Sequence, residues 1–175
     1  MTSIVFPGQG SQFVGMTRDF YDNFSIVKET FDQVESISKI NVKKIIFENE
    51  SGFLDKTKYT QLCIFCSSMS IYNVLINEFD KSILKFNYGL GHSLGEYSAL
   101  TASNVLTIND SINLLKIRGE LMQNAYPDNK SGMAAIIGLN CSSVEKIINE
   151  NNLNIEVAND NSPLQVVISG IKDDL

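Results

Sequence analysis

Gly91-His92-Ser93-Leu94-Gly95 is a G-x-S-x-G sequence, and its surroundings decide how the whole chain is read. Before it, Ile83 to Leu90 predicts a strand; after it, the pattern through Ala102 predicts a helix. A serine at such a strand-to-helix turn stands where a nucleophile elbow requires one. The glycines let the backbone turn tightly enough to lift the Ser93 hydroxyl clear of the sheet. The helix beginning at Leu94 points backbone N–H groups toward developing negative charge. The competing reading is a plain turn in which Ser93 caps the helix.

An elbow needs a second oxyanion donor, usually from the loop after an early strand. Here a short strand, Ile4 to Phe6, runs through Pro7 into Gly8-Gln9-Gly10-Ser11-Gln12, and that loop can supply Gln9. Two other readings of the loop fail. It lacks the Lys-Ser/Thr of a phosphate-binding loop, and Phe13 stands where a dinucleotide fingerprint wants its third glycine. An ordinary turn remains the alternative.

Helices are predicted over Ser25 to Ser38, Val42 to Phe47 and Thr60 to about Phe79. Another, opened by a capping-box-like pair, Thr107 and Asp110, runs to near Tyr126-Pro127. The polar stretch Asp128 to Gly132 marks a subdomain boundary between residues 1–127 and 132–175. Beyond it come a strand (Met133 to Leu139), a helix (Ser142 to Glu150, with Ser142 and Glu145 as capping box) and strands at Ile155 to Ala158 and Gln165 to Ser169. A ferredoxin-like split βαβ needs one more helix and strand than this βαββ series, so the chain reads as truncated.

Within the helix from Ile108, 100° per residue places Arg118 in the apolar stripe with Leu114, Leu115, Met122 and Ala125. A guanidinium there needs an anion or a route to water. A structural carboxylate, snorkelling and a bidentate substrate carboxylate all satisfy it. His92, the only histidine, leaves the backbone in a different direction from Ser93, which suits the pocket floor better than a general base. Glu96 reads as an exposed helix glutamate.

The rest is bounded by composition. With 43% hydrophobic residues, 14 Lys and Arg against 20 Asp and Glu, and a net charge of −6, the 175-residue chain predicts a globular protein with no basic footprint for nucleic acid. Apolar runs such as Ile64 to Cys66 and Ala134 to Ile137 are far short of a bilayer span, and MTSIVFPGQG lacks the regions of a signal peptide. No membrane association and a cytoplasmic location are expected. Cys63 and Cys66 form a CxxC inside an apolar helical pattern with no partner ligands, which predicts core residues rather than a redox or metal pair.

Phe6 to Gln12 together with Gly91-His92-Ser93-Leu94-Gly95-Glu96-Tyr97-Ser98-Ala99 closely resembles the malonyl-CoA:acyl carrier protein transacylases of dissociated fatty acid synthesis. Lys116-Ile117-Arg118-Gly119, Gly132 to Leu139 and Ala158 to Pro163 fall in the family's order as well. The match covers essentially the whole chain and somewhat over half of the family's catalytic domain. The resemblance implies an α/β fold, with an α/β-hydrolase-like large subdomain and a ferredoxin-like small one, both incomplete here. It implies Ser93 as nucleophile, Leu94 N–H and Gln9 as oxyanion donors, Arg118 as clamp on the malonyl carboxylate, and malonyl-CoA and acyl carrier protein as partners, with no metal or redox cofactor. The family's catalytic histidine falls beyond the small subdomain, which leaves turnover by these residues alone in question. A serine esterase is the alternative enzyme, although a hydrolase of neutral esters has no use for Arg118. A fragment that only binds carrier protein is the other.

Overall fold

The computed structural model describes residues 2–79, 85–125 and 130–175. It divides into two compact units, Met1–Gln123 and Asn124–Leu175. The predicted strand residues Ile83 and Leu84, the helix end at Tyr126-Pro127 and the loop residues Asp128 and Asn129 lie outside the described residues.

The larger unit pairs β1 (Ser3–Phe6) in parallel with β2 (Tyr88–Gly91), Ser3 opposite Tyr88 and Phe6 opposite Gly91. Helices α1 (Arg18–Asn23), α2 (Ser25–Ser38), α3 (Val42–Phe47) and α4 (Thr57–Glu78) lie between those strands in the chain; α5 (Gly95–Ala102) and α6 (Ile108–Gln123) follow. α2 is amphipathic as its spacing requires, burying Val27, Phe31 and Val34. α4 is different, since Thr60 through Ser70 are all buried. α4 is the one helix among the described residues long and apolar enough to cross a bilayer, by length and composition alone. Its burial among Phe31, Ile46, Ile112 and Leu115 accounts for that apolarity as the centre of the core.

α4 starts three residues before the sequence places it, at Thr57 rather than Thr60. Thr60 resembles a cap, but its hydroxyl bonds backward, to Leu54 O (2.6 Å) and Lys56 O (2.9 Å), from inside the first turn. Cys63 and Cys66 are fully buried in this helix. Desolvation pushes the Cys63 thiol up to about 12 and Cys66 upward as well, so both stay neutral thiols.

The smaller unit is β3 (Ser131–Ile137), α7 (Cys141–Glu150), β4 (Ile155–Ser162) and β5 (Gln165–Ile171), followed by a short 3₁₀ turn at Lys172–Asp174. β5 lies between β3 and β4 and is antiparallel to both, the split βαβ of a ferredoxin-like unit. α7 and the sheet close on Val144, Ile155, Val166 and Ile168. The predicted Ser142–Glu145 capping box is corrected here. The helix starts at Cys141, and Asn140 caps it, its Oδ1 accepting from Ser143 N–H and from the Ser142 hydroxyl, both at 2.9 Å. At the other predicted box, Thr107 Oγ accepts from Asp110 N–H (3.1 Å) and donates to the Asp110 carboxylate (2.6 Å).

Candidate active site

The elbow is assembled by close backbone approach. β2 ends at Gly91, and the next N–H, from His92, donates to Phe6 O at 3.2 Å, so the β1–β2 pairing carries on one residue past the strand. A Cβ on Gly91 would fall 2.0 Å from the Gly95 carbonyl carbon, and one on Gly95 would fall 2.5 Å from Phe6 O. Only hydrogen fits at either place. The chain reverses at Ser93 with φ +55°, a left-handed conformation that costs an L-residue about 1–2 kcal/mol. Gly95 N–H then returns to His92 O at 2.9 Å and Glu96 N–H to Ser93 O at 3.1 Å, which starts α5.

This geometry removes the capping alternative for Ser93. Leu94, not Ser93, holds the N-cap position of α5, and no side chain caps that helix. The Ser93 hydroxyl instead accepts a hydrogen bond from Arg118 Nη2 at 2.8 Å. Leu94 buries its side chain in the core, 1% exposed, which anchors the turn from below.

Arg118 is half-buried on α6 and meets neutral groups. Nη1 donates to Gln61 Oε1 at 2.6 Å, Nη2 donates to Ser93, and the guanidinium carbon lies 5.9 Å from the centre of the Tyr97 ring. Among the described residues no carboxylate pairs with it. Of the stripe predicted around it only Leu115 is buried, and Leu114, Met122 and Ala125 are exposed. Its neighbour Gly119 lets α6 approach α4, because a Cβ there would come 3.0 Å from Lys58 O.

In the first glycine loop, Gly10 adopts φ +104° and its N–H donates to Gln12 Oε1 at 2.8 Å. Gln9 is exposed, its Nε2 donating to Thr57 Oγ at 3.1 Å, which ties the loop to the start of α4. Gly8 faces His92, since a Cβ on Gly8 would lie 2.4 Å from His92 Nδ1. The histidine ring therefore packs on the loop that carries Gln9. Glu96 is exposed.

Sequence reasoning missed Gln61, Tyr97 and Thr57. A glutamine at the head of the apolar run Leu62-Cys63-Ile64-Phe65-Cys66 is the sequence signal for the first of them. No group of metal-ligating side chains able to hold an ion occurs among the described residues. A cavity of about 550 Å³, lined by Phe6, Phe13, Met16, Ile64, Ser67 and Ile71 among others, includes none of Ser93, Arg118 or Gln61.

Comparison with known proteins assigns a family to this chain, in which Arg118 bonds the hydroxyl of Ser93. The chain belongs to the acyl transferase domain family, whose model matches residues 4–175. It is 36% identical over 174 residues to the malonyl CoA-acyl carrier protein transacylase of Staphylococcus aureus strain MRSA252, covering 98% of this chain and 54% of that protein. The solved transacylase of Coxiella burnetii superposes with a TM-score of 0.91 at 34% identity, over 99% of this chain and 54% of that one. A malonyl-transacylase solved in complex with its type II PKS acyl-carrier protein, PlMCAT:AntF, gives 0.90 at 35%, over 99% and 56%. The chain thus spans about half the length of the curated relatives it matches.

Proposed function

We propose that Ser93 accepts a malonyl group from malonyl-CoA and passes it to the phosphopantetheine thiol of acyl carrier protein, in the cytoplasmic synthesis of fatty acids. The observation that carries this reading is the 2.8 Å bond from Arg118 to Ser93 Oγ, made by a guanidinium with no carboxylate partner among the described residues. A malonyl thioester has its own carboxylate two carbons from the reacting carbonyl. A cation beside the nucleophile can hold that carboxylate bidentately while the carbonyl sits over Ser93.

In the first step Ser93 Oγ forms a bond to the thioester carbonyl carbon, and the negative charge on the carbonyl oxygen is taken by the N–H of Leu94 and by Gln9. The C–S bond then breaks, coenzyme A leaves as the thiol with the proton lost by serine, and malonyl-serine remains. The thiol of the carrier protein reverses these bonds and carries malonate away. The chemistry needs neither metal nor redox cofactor. A similar malonyl-transacylase, solved in complex with its acyl-carrier protein, supports the partner. A neutral-ester hydrolase is the weaker reading, because it leaves Arg118 without a task.

We assign His92 to the pocket floor, where it packs on Gly8, and not to proton transfer. It is the only histidine of these 175 residues, so they furnish nucleophile, clamp and oxyanion donors without a base. Loss of the base in such sites lowers rate by about 10³–10⁶. Acylation should therefore be slow and should speed up as hydroxide takes the proton. The test is intact-mass spectrometry of the chain held with malonyl-CoA for hours at pH 7 to 9. The ceiling is set by the cysteines: the unfolded chain ionises from its ordinary thiol range upward while buried Cys63 resists to about 12, so stability falls as pH rises through that window. One malonyl adduct that grows with pH is expected, and none on Ser93→Ala. An adduct undiminished in that variant removes Ser93 from the mechanism.

A further inference from the structure

We infer that Gln61 is a positioning residue that selects for a carboxylate-bearing acyl group, by aiming Arg118 without neutralising it. The inference rests on the malonyl reading above and deepens it.

Gln61 sits in α4 with 0% exposure, one residue beyond the buried Thr60, in a helix otherwise filled with apolar side chains and small hydroxyls. A buried primary amide is costly unless it is satisfied. Its two ends are satisfied differently. Nε2 donates to Met122 Sδ at 3.1 Å, and Oε1 accepts from Arg118 Nη1 at 2.6 Å. Thioether sulfur only accepts, so the amide nitrogen has one sensible direction, and its oxygen is thereby turned toward the guanidinium.

The second arm of the guanidinium then points at Ser93 Oγ. Arg118 is thus held between one buried fixed acceptor and the nucleophile, with Tyr97 flanking it. The choice of amide rather than carboxylate matters. A glutamate in the same place would accept the same hydrogen bond, but it would also pair with the arginine and cancel the charge an incoming acyl carboxylate must find. A glutamine orients and leaves the full positive charge available. Burial adds to this, because the Gln61 oxygen is withheld from water and Arg118 cannot readily exchange it for solvent.

The test is calorimetric titration of the 175-residue chain with malonyl-CoA and with acetyl-CoA at pH 7, read as the ratio of the two dissociation constants. Gln61→Met, close in volume and without the acceptor, should lower the preference for malonyl about ten-fold. Gln61→Glu, close in shape and still an acceptor, should lower it more, by roughly a hundred-fold, because it brings a competing charge. A merely structural glutamine predicts the reverse order: Glu rescues, Met harms, and both ligands weaken together. Arg118→Ala separates the two levels of the argument. If Arg118→Ala abolishes the preference and both Gln61 variants keep it, the assignment of Gln61 is overturned and the malonyl reading stands. A wild-type chain that does not distinguish the two thioesters, or an Arg118→Ala chain that keeps the wild-type ratio, overturns the malonyl reading and the Gln61 inference with it. If one Gln61 variant fails to melt cooperatively, the other still decides, since each lowers the malonyl-to-acetyl preference under this assignment and leaves it unchanged under the structural alternative.

Discussion

The elbow of the larger unit and the turn that ends β3 in the smaller unit both depend on glycine, for opposite reasons. At Gly91 the surroundings forbid a side chain: a Cβ would overlap the Gly95 carbonyl carbon at 2.0 Å. At Gly138, whose N–H bonds Leu164 O at 2.8 Å, the surroundings are empty, with nothing within 4 Å of a Cβ, and what needs glycine is φ +93° itself. One turn is fixed by packing from outside, the other by torsion within. The first kind suits a site, because neighbours hold it even where its own residue, Ser93, is strained.

That contrast is open to breakage. Gly91→Ala should be the most damaging single methyl in the chain, since backbone atoms cannot swing aside. A loss of several kcal/mol, or of the cooperative transition of the larger unit, is expected in urea melts followed by circular dichroism. Gly138→Ala, with room but the wrong φ, should cost only about 1 kcal/mol. Equal costs would show that packing does not distinguish the two turns. Asn140→Ala removes the acceptor shared by Ser143 N–H and the Ser142 hydroxyl, and should cost about 1 kcal/mol. Hydrogen exchange should locate that loss in α7 and leave the amides of α4 protected. The smallest effect is expected from Ser93→Gly. Relief of the left-handed strain at φ +55° offsets the added freedom of the unfolded chain, so its melting midpoint should match or exceed that of Ser93→Ala. A clear destabilisation relative to alanine would mean that the elbow does not strain Ser93.

Much of this was legible in the residues. α2 and α3 begin and end where their apolar spacing puts them, and the strand-helix-strand-strand order of the smaller unit follows from periods of 2 and 3.6. The short α1 and the 3₁₀ turn at Phe53–Asp55 carry too few residues to show a period, and they went unread. At α4 and α7 more than one residue could cap the helix from the sequence alone; α4 starts after Lys56 with no side-chain cap, and Asn140 rather than Ser142 caps α7. In the site, the elbow and Arg118 could be found because each breaks a local pattern: glycines around a serine, a cation in an apolar stripe. Where β4 carries through to Ser162, with irregular register after Val157 and after Asp160, the asparagine-rich sequence reads as a turn instead. Gln61 escaped because its partner lies 57 residues away, and no local period records such a distance.

The pairing of Ser3 with Tyr88 has a kinetic consequence. β1 precedes β2 in synthesis and cannot form this pairing until some 85 further residues exist, and closing a loop of that length costs roughly 4 kcal/mol of chain entropy. α2, α3 and α4 can gather their apolar faces earlier through shorter loops. Ser93 should therefore take up its strained posture late in folding, after the helical core has formed and when β2 finally docks beside β1.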